Sequence, residues 1–142
     1  MSESKFVSRA VRKKDAQALV TGKLVYTGDL VPAGALTVKI LRSPHARAWI
    51  EEIDTAAALK IPGVVAVYTW QDVPQSRFTT AGQTYPEPSP YDRLILDRQL
   101  RCAGDPVAIV AAETPEAARK ALDRIKVRYQ VQEPLLDFTK AK

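Results

Sequence analysis

The stretch from Trp70 to Asp105 limits the possible folds more than any other part of this sequence. It contains Pro74, Pro86, Pro88 and Pro90, and proline can neither donate to a β-ladder nor continue a helix. Regular structure therefore cannot run through the whole stretch, which becomes a long connection between two structured parts. A connection of this length in a compact domain is usually functional, as a binding segment or an interface arm.

The two flanking parts share one pattern, a short helix followed by a strand. In the first, Asp54 can accept from amides in the first turn of TAAALK, Pro62-Gly63 ends that helix, and VVAVYTW follows. The run VVAVYTW does not alternate, so we expect it to be covered on both faces. In the second, Thr114 caps a helix with Pro115 at its first position, and KVRYQVQ alternates apolar with polar residues. The apolar face of this second helix consists of Ala117, Ala118, Ala121, Leu122 and Ile125.

The remaining apolar runs are read as strands. Residues 21–43 predict strand, turn and strand, the second with Leu36, Val38 and Ile40 alternating against Thr37 and Lys39 in the manner of a half-buried strand. Pro44 interrupts the run, ARAWIEEI resumes it, and PVAIVAA is a fully apolar strand. The predicted fold is α+β, a mixed β-sheet with two main helices and the long proline-rich connection. Residues 1–20 form a basic lead-in that we expect to be flexible, 21–137 a single domain, and 138–142 a tail leading to further domains.

Composition removes several functional classes. The net charge of +5 lacks the dense basic stripe typical of nucleic-acid binders, and no apolar run approaches membrane-spanning length. The single Cys102 excludes an internal disulfide and fits a reducing compartment. We therefore expect a cytoplasmic protein with neither nucleic acid nor membrane as partner.

His45 raises the most direct question about catalysis, because Ser43 precedes it and Glu51, Glu52 and Asp54 follow. A serine nucleophile needs a base within hydrogen-bond reach and a carboxylate behind it. Pro44 disturbs that geometry, and no Gly-x-Ser-x-Gly elbow occurs in the sequence. The favoured interpretation of His45 is a structural histidine at a strand bend.

Metal and phosphate sites have equally weak support. One histidine and one cysteine do not make a zinc site by themselves, and Gly22-Lys23 lacks both the hydroxyl residue and the first glycine of a phosphate-binding loop. Gly104-Asp105-Pro106 is consistent with a carboxylate aimed at a ligand and equally with a turn that opens a strand. Cys102 is interpreted as a small core residue. We therefore predict no catalytic, cofactor-binding or metal-binding residue in this chain.

Three segments of the sequence match a known family pattern in their order and spacing: RKKDAQALVTGKLVYTGDL, LRSPHARAWIEEIDTAAALKIPGVVAVYT and GDPVAIVAAETPEAARKALDRIKVRY. They resemble the opening of the large molybdenum-binding subunit of the xanthine dehydrogenase and aldehyde oxidase family. Ser43-Pro44-His45-Ala46 and Gly104-Asp105-Pro106-Val107 are highly characteristic of it. The connecting stretch is most similar to bacterial xanthine dehydrogenase subunits, and the resemblance covers about Val11 to Asp137.

The resemblance implies an α/β hammerhead domain that precedes the domains holding the molybdopterin. Enzymes of this family hydroxylate purine- or aldehyde-type substrates with water as the oxygen source, and electrons leave through iron–sulfur clusters to FAD. The implied cofactors and partners are therefore molybdenum–molybdopterin in neighbouring domains of the same polypeptide, and iron–sulfur and FAD subunits or domains. The alternative is an independent small binding module that uses the loop of residues 71–98.

Overall fold

The computed structural model describes residues 10–79 and 90–140, which fall into two compact units divided between Ala35 and Leu36. The first unit contains helix α1, Ala16–Val20, and a 3-10 helix, Thr27–Leu30. The strand predicted within residues 21–30 is wrong. The Asp29 carboxylate accepts from the Tyr26 N–H at 2.9 Å, and such a local bond favours a turn over an extended chain.

The second unit contains two three-stranded sheets, and every strand pairing in the described residues is antiparallel. The α+β prediction is confirmed, but the single mixed sheet is wrong because the bend after the first strand sends the chain into a different sheet. The strands are β1 (Thr37–Arg42), β2 (Ala48–Asp54), β3 (Val64–Tyr68), β4 (Gln99–Leu100), β5 (Pro106–Ala112) and β6 (Lys126–Val131). The first sheet has the order β1-β5-β3 and the second the order β4-β2-β6. Helix α2, Ala56–Leu59, follows β2, and helix α3, Pro115–Leu122, follows β5.

Two apolar clusters form the core. In the first, the predicted alanine face of α3 packs on the central strand β5; its buried members are Ala58, Val110, Ala112, Ala117, Ala118 and Ala121. In the second, one residue of β5 meets the second sheet; its buried members are Ala48, Ile50, Leu100 and Val107. Strand β5 therefore contributes to both clusters, and its burial agrees with the prediction from PVAIVAA.

The two edge strands of the first sheet differ from expectation. In β3, Val65 and Tyr68 are exposed, so the prediction that both faces are covered is wrong. In β1, Val38 and Ile40 are exposed, whereas the alternating polar residues Thr37 and Lys39 are half-buried. The period of two was read correctly, but Val38 and Ile40 lie on the open side of the sheet, and Leu41 is the half-buried apolar residue of β1.

Both helix starts use the side chains that the sequence predicts, although the N-cap position of α2 is Thr55, one residue after Asp54. Asp54 Oδ1 accepts from the Ala56 N–H at 2.9 Å at the start of α2. Thr114 Oγ1 accepts from the Ala117 N–H at 3.1 Å at the start of α3, where Pro115 is the first helical residue. Each side chain satisfies a helical amide that has no intrahelical partner.

We expect Thr114→Ala to lower the free energy of unfolding by about 1 kcal/mol, because the Ala117 amide loses its acceptor. Thr114→Ser is the matched control, since it keeps the hydroxyl and should cost only a few tenths of that amount. Urea unfolding followed by circular dichroism measures both values. Equal losses in the two variants would contradict a role for the cap.

The described ends of the long connection belong to the fold. Phe78 and Arg93 form an isolated antiparallel bridge, and Leu96 is fully buried. The sequence also predicts that the part around Thr84 to Pro90 is mobile or held by a neighbouring molecule, and residues 84–89 lie outside the described part of the chain.

Arg98, just before β4, lies between the two tryptophans of the chain. Its guanidinium carbon is 5.1 Å from the centroid of the Trp49 ring and 4.7 Å from that of Trp70. Its Nε donates to the Ile50 carbonyl at 3.1 Å, and its own carbonyl accepts from the Ile50 N–H at 2.9 Å. This arrangement fastens the end of the connection to β2 through cation–π and hydrogen-bond contacts.

Candidate functional site: a junction of two turns

The two most characteristic phrases of the sequence meet in space. We call the region formed by residues 42–45 and 102–106 the turn junction. The Ser43 N–H donates to the Asp105 carbonyl at 2.8 Å, and the Gly104 N–H donates to the Ser43 carbonyl at 2.9 Å. Arg42 Nη1 donates to the Gly104 carbonyl at 2.8 Å. The segments are distant in sequence, and backbone groups supply most of the bonds between them.

Gly104 and Ser43 explain why these residue types occur at the junction. Gly104 has φ of 93°, a left-handed conformation that disfavours residues with a Cβ. Ser43 is only 4% exposed, and its hydroxyl both donates to the His45 carbonyl at 2.9 Å and accepts from the His45 N–H at 3.1 Å. The Ser43 side chain thus closes the bend at Pro44 through one donated and one accepted hydrogen bond with the His45 backbone.

The Asp105 carboxylate organises the second turn. It accepts from the Arg101 N–H at 2.7 Å and the Cys102 N–H at 3.1 Å, and the nearest Arg93 nitrogen is 3.6 Å away. Partial burial opposes ionisation, but the hydrogen bonds from Arg101 and Cys102 and the charge of Arg93 outweigh it and lower the pKa of Asp105. Of the two interpretations left open by the sequence, the turn is the one observed, because this carboxylate is saturated by its own loop.

Cys102 is exposed, so its interpretation as a core residue is wrong. Its thiol donates to Asp105 Oδ1 at 3.1 Å. This hydrogen bond, followed by burial and the negative charge of Asp105, raises the pKa of Cys102. A raised pKa keeps the sulfur as a thiol at neutral pH and disfavours a nucleophilic role.

The residues around His45 do not assemble into a catalytic triad. The Ser43 hydroxyl is committed to the backbone of His45, and the His45 ring instead meets the Tyr129 ring edge-to-face at a centroid distance of 5.0 Å. Glu51 and Glu52 pair with Arg128 at 2.9 and 3.2 Å, and Asp54 caps α2. Each candidate acid is thus engaged in a structural contact that involves neither Ser43 nor His45.

Two open clefts flank the turn junction. The first has a volume of about 300 Å³ and the second about 330 Å³. The first is lined by Phe78, Arg93, Leu94, Ile95, Asp97, Gln99, Leu100, Asp105 and Pro106, and the second by Ala46, Arg47, Arg101, Cys102, Ala103, Pro134, Leu135 and Leu136. Arg101 pairs with Asp92 at 2.6 Å, and Arg47 donates to the Glu133 carbonyl at 3.3 Å. Both clefts are therefore mainly apolar, with several of their charged groups already engaged by the fold.

Within residues 10–79 and 90–140, no group of three or more histidine, cysteine, aspartate or glutamate side chains could hold a metal ion. In the same part of the chain, no helix is long and apolar enough to cross a membrane. The sequence missed the contacts of Arg42 and Arg93 with the second turn. An arginine that pairs with a distant loop leaves no periodic or local signal in the sequence.

We expect His45→Ala to lower the free energy of unfolding by roughly 1 kcal/mol, because the edge-to-face contact with Tyr129 is lost. His45→Phe is the matched control, since it keeps an aromatic ring and should restore most of the loss. Thermal unfolding of the three proteins measures the effect. A loss in His45→Phe as large as that in His45→Ala would contradict a role for the ring contact.

Comparison with known proteins places these features in a family. Residues 21–133 match the family described as aldehyde oxidase and xanthine dehydrogenase, a/b hammerhead domain. A protein of Escherichia coli O157:H7 named "Probable hypoxanthine oxidase XdhD" is 43% identical over 129 residues, which cover 91% of this chain and 14% of the relative. The xanthine dehydrogenase molybdenum-binding subunit of the same organism is 39% identical over 120 residues, covering 82% of this chain and 16% of the relative.

A solved structure agrees with the sequence comparison. Quinoline 2-oxidoreductase from Pseudomonas putida 86 superimposes with a TM-score of 0.75 at 33% identity, covering 87% of this chain and 16% of the other. The chain thus spans about one-seventh of the length of the relatives it matches. The matched residues include both turns of the junction and the two clusters of the core. The chain belongs to the aldehyde oxidase and xanthine dehydrogenase family, of which it carries the α/β hammerhead domain.

Proposed function

We propose that this chain is a structural domain of a molybdenum-containing hydroxylase of the xanthine dehydrogenase type. The parent enzyme would oxidise purine- or aldehyde-type substrates with water as the oxygen source. It would work in the cytoplasm with iron–sulfur and FAD subunits or domains. The single observation that carries the proposal is the family match over residues 21–133, at up to 43% identity with a relative named as a hypoxanthine oxidase.

The turn junction is a poor fit for a molybdenum cofactor. In the turn junction the Ser43 hydroxyl and the Asp105 carboxylate are both satisfied by their own loops. The junction therefore lacks a convergent set of free polar groups that could hold a large anionic cofactor. We propose that this domain contributes no catalytic, cofactor-binding or metal-binding residue, and that other parts of the parent polypeptide supply them.

The role of the turn junction under this proposal is mechanical. It joins the end of β1 to the start of β5, so it fixes the place where the chain leaves one sheet and enters the other. Bonds between backbone groups keep this geometry largely independent of exposed side chains. A rigid domain of this kind can brace a larger enzyme without taking part in the reaction.

We expect the polypeptide of residues 1–142 to bind no molybdenum and to oxidise neither xanthine nor an aldehyde. The full product of the native gene should contain molybdenum and reduce a dye with a purine substrate. Elemental analysis and dye reduction on both proteins, expressed in the same host, measure these properties. Stoichiometric molybdenum or turnover in the 142-residue polypeptide would refute the structural assignment. A gene product of about this length would instead support the independent binding module.

A further inference from the structure

One face of the first sheet is apolar and open. Directly paired residues of antiparallel strands lie on the same face, and the pairs Val38–Ala111–Ala66 and Ile40–Ile109–Tyr68 follow from the register. These six residues, Val38, Ile40, Ala66, Tyr68, Ile109 and Ala111, are called the open sheet face. Val38 is 58% exposed, Tyr68 44% and Ile40 38%, whereas Ala66 and Ile109 are half-buried and the small central Ala111 is buried. The large side chains on the two edge strands of this face are therefore open within the described residues.

The pattern of β1 is inverted relative to a sheet that faces water. An antiparallel sheet with one solvated side normally places apolar residues inward and polar residues outward. Here Thr37 and Lys39 are paired with Ala112 and Val110, which belong to the core beneath α3. Thr37 and Lys39 therefore lie on the helix side, whereas Val38 and Ile40 lie on the open side. Leu41 is half-buried and Arg42 is exposed, so the inversion is confined to residues 37–40.

A shift of β1 by one residue would reverse this arrangement, since side chains alternate strictly. The register with β5 is nevertheless continuous from Thr37 to Leu41. All six residues of the open sheet face are uncharged. The face is consistent with permanent cover by apolar protein surface.

We propose that the open sheet face docks onto an apolar surface of another domain of the same parent polypeptide. This inference rests on the proposed function. Permanent interfaces are more apolar than those of transient complexes, which resemble ordinary protein surface. The relatives are about seven times longer than the matched segment, so ample polypeptide exists to cover the face. A second copy of the parent polypeptide is the competing occupant, and dilution distinguishes it from cover within one polypeptide.

Hydroxyl-radical footprinting of the intact native gene product tests the proposal, with labelling read by mass spectrometry at Tyr68. Tyr68 should label several-fold more slowly than its 44% exposure in this domain predicts. The variant Val38→Asp places a charge in the interface and should raise Tyr68 labelling several-fold. Leu59→Asp is the matched control, because Leu59 is 49% exposed on α2, away from this face, and should leave Tyr68 labelling unchanged.

Val38→Thr keeps the shape of the side chain and replaces Val38→Asp as the test variant if Val38→Asp prevents accumulation of the protein. It should raise Tyr68 labelling by a smaller factor. Unchanged Tyr68 labelling in the Val38 variants, or fast labelling in the unsubstituted protein, overturns the proposal. Protection that disappears on dilution also overturns it, because a second copy would then be the cover. Molybdenum content of the same samples reports separately on the proposed function, since a molybdenum-loaded enzyme with fast Tyr68 labelling contradicts only the docking face.

Discussion

Asp105→Ala should lower the free energy of unfolding of the domain by about 2–4 kcal/mol, because the Arg101 and Cys102 amides lose their acceptor. The substitution also removes the ion pair with Arg93. Asp105→Asn is the matched control, since one amide oxygen can still accept from the turn and the loss should be smaller. Chemical denaturation of the three proteins measures the difference. A loss in Asp105→Ala no larger than that of an ordinary surface substitution would show that the carboxylate does not organise the turn.

The same residue makes stability depend on pH in a defined direction. The pKa of Asp105 is lower in the folded domain than its ordinary value of 3.8. A lowered pKa means that the ionised form stabilises the fold above the ordinary value, and that this contribution is lost as the pH falls through the lower folded value. Stability measured between neutral pH and pH 3 should therefore fall less in Asp105→Asn than in the unsubstituted protein. Parallel curves would contradict this linkage.

Ile50→Ala should lower the free energy of unfolding by about 2–5 kcal/mol, the usual range for a large side chain truncated in a packed core. Ile50 is fully buried and packs with Leu100 and Val107, where β2, β4 and β5 converge. Loss of three carbons leaves a cavity that the neighbouring strands can close only in part.

Two controls accompany this substitution. Ile50→Val removes one methylene and should cost about 0.5–1.5 kcal/mol. Val131→Ala changes an apolar residue that is 59% exposed on β6, and surface changes usually stay within about 0.5 kcal/mol. The denaturation midpoint should be lowest in Ile50→Ala, higher in Ile50→Val and highest in Val131→Ala. A loss in Ile50→Ala no larger than in Val131→Ala would mean that the second cluster is not a packed core.

Local signals in the sequence predicted the elements that local physics determines. Thr114 and Pro115 marked the start of α3, and its alanine spacing marked the buried side. The unbroken apolar run of β5 marked a buried central strand. Hydrogen bonds and packing within a few residues suffice for each of these features, so one segment contains the necessary information.

The features that the sequence did not predict depend on distant partners. Strand β1 shows a clear period of two, but the period cannot tell which side α3 covers, and the apolar side proved to be the open one. The sequence did not predict the number of sheets, because the same strand segments are expected whether they form one sheet or two. At the site, Gly104-Asp105-Pro106 left two interpretations, since only the fold brings Arg93 and Ser43 beside it. The resemblance in the sequence identified the family, whereas the strand pairing in the structure showed where each segment lies.

The placement of both tryptophans against Arg98 has an optical consequence. Trp49 is in β2, Trp70 follows β3, and Arg98 precedes β4, so three segments distant in sequence meet at one cation. Since the chain has only these two tryptophans, its intrinsic ultraviolet emission reports on this one meeting point. Separation of the Arg98 segment would change the surroundings of both indoles together. The domain thus carries its own spectroscopic probe for attachment of the proline-rich connection to the sheets.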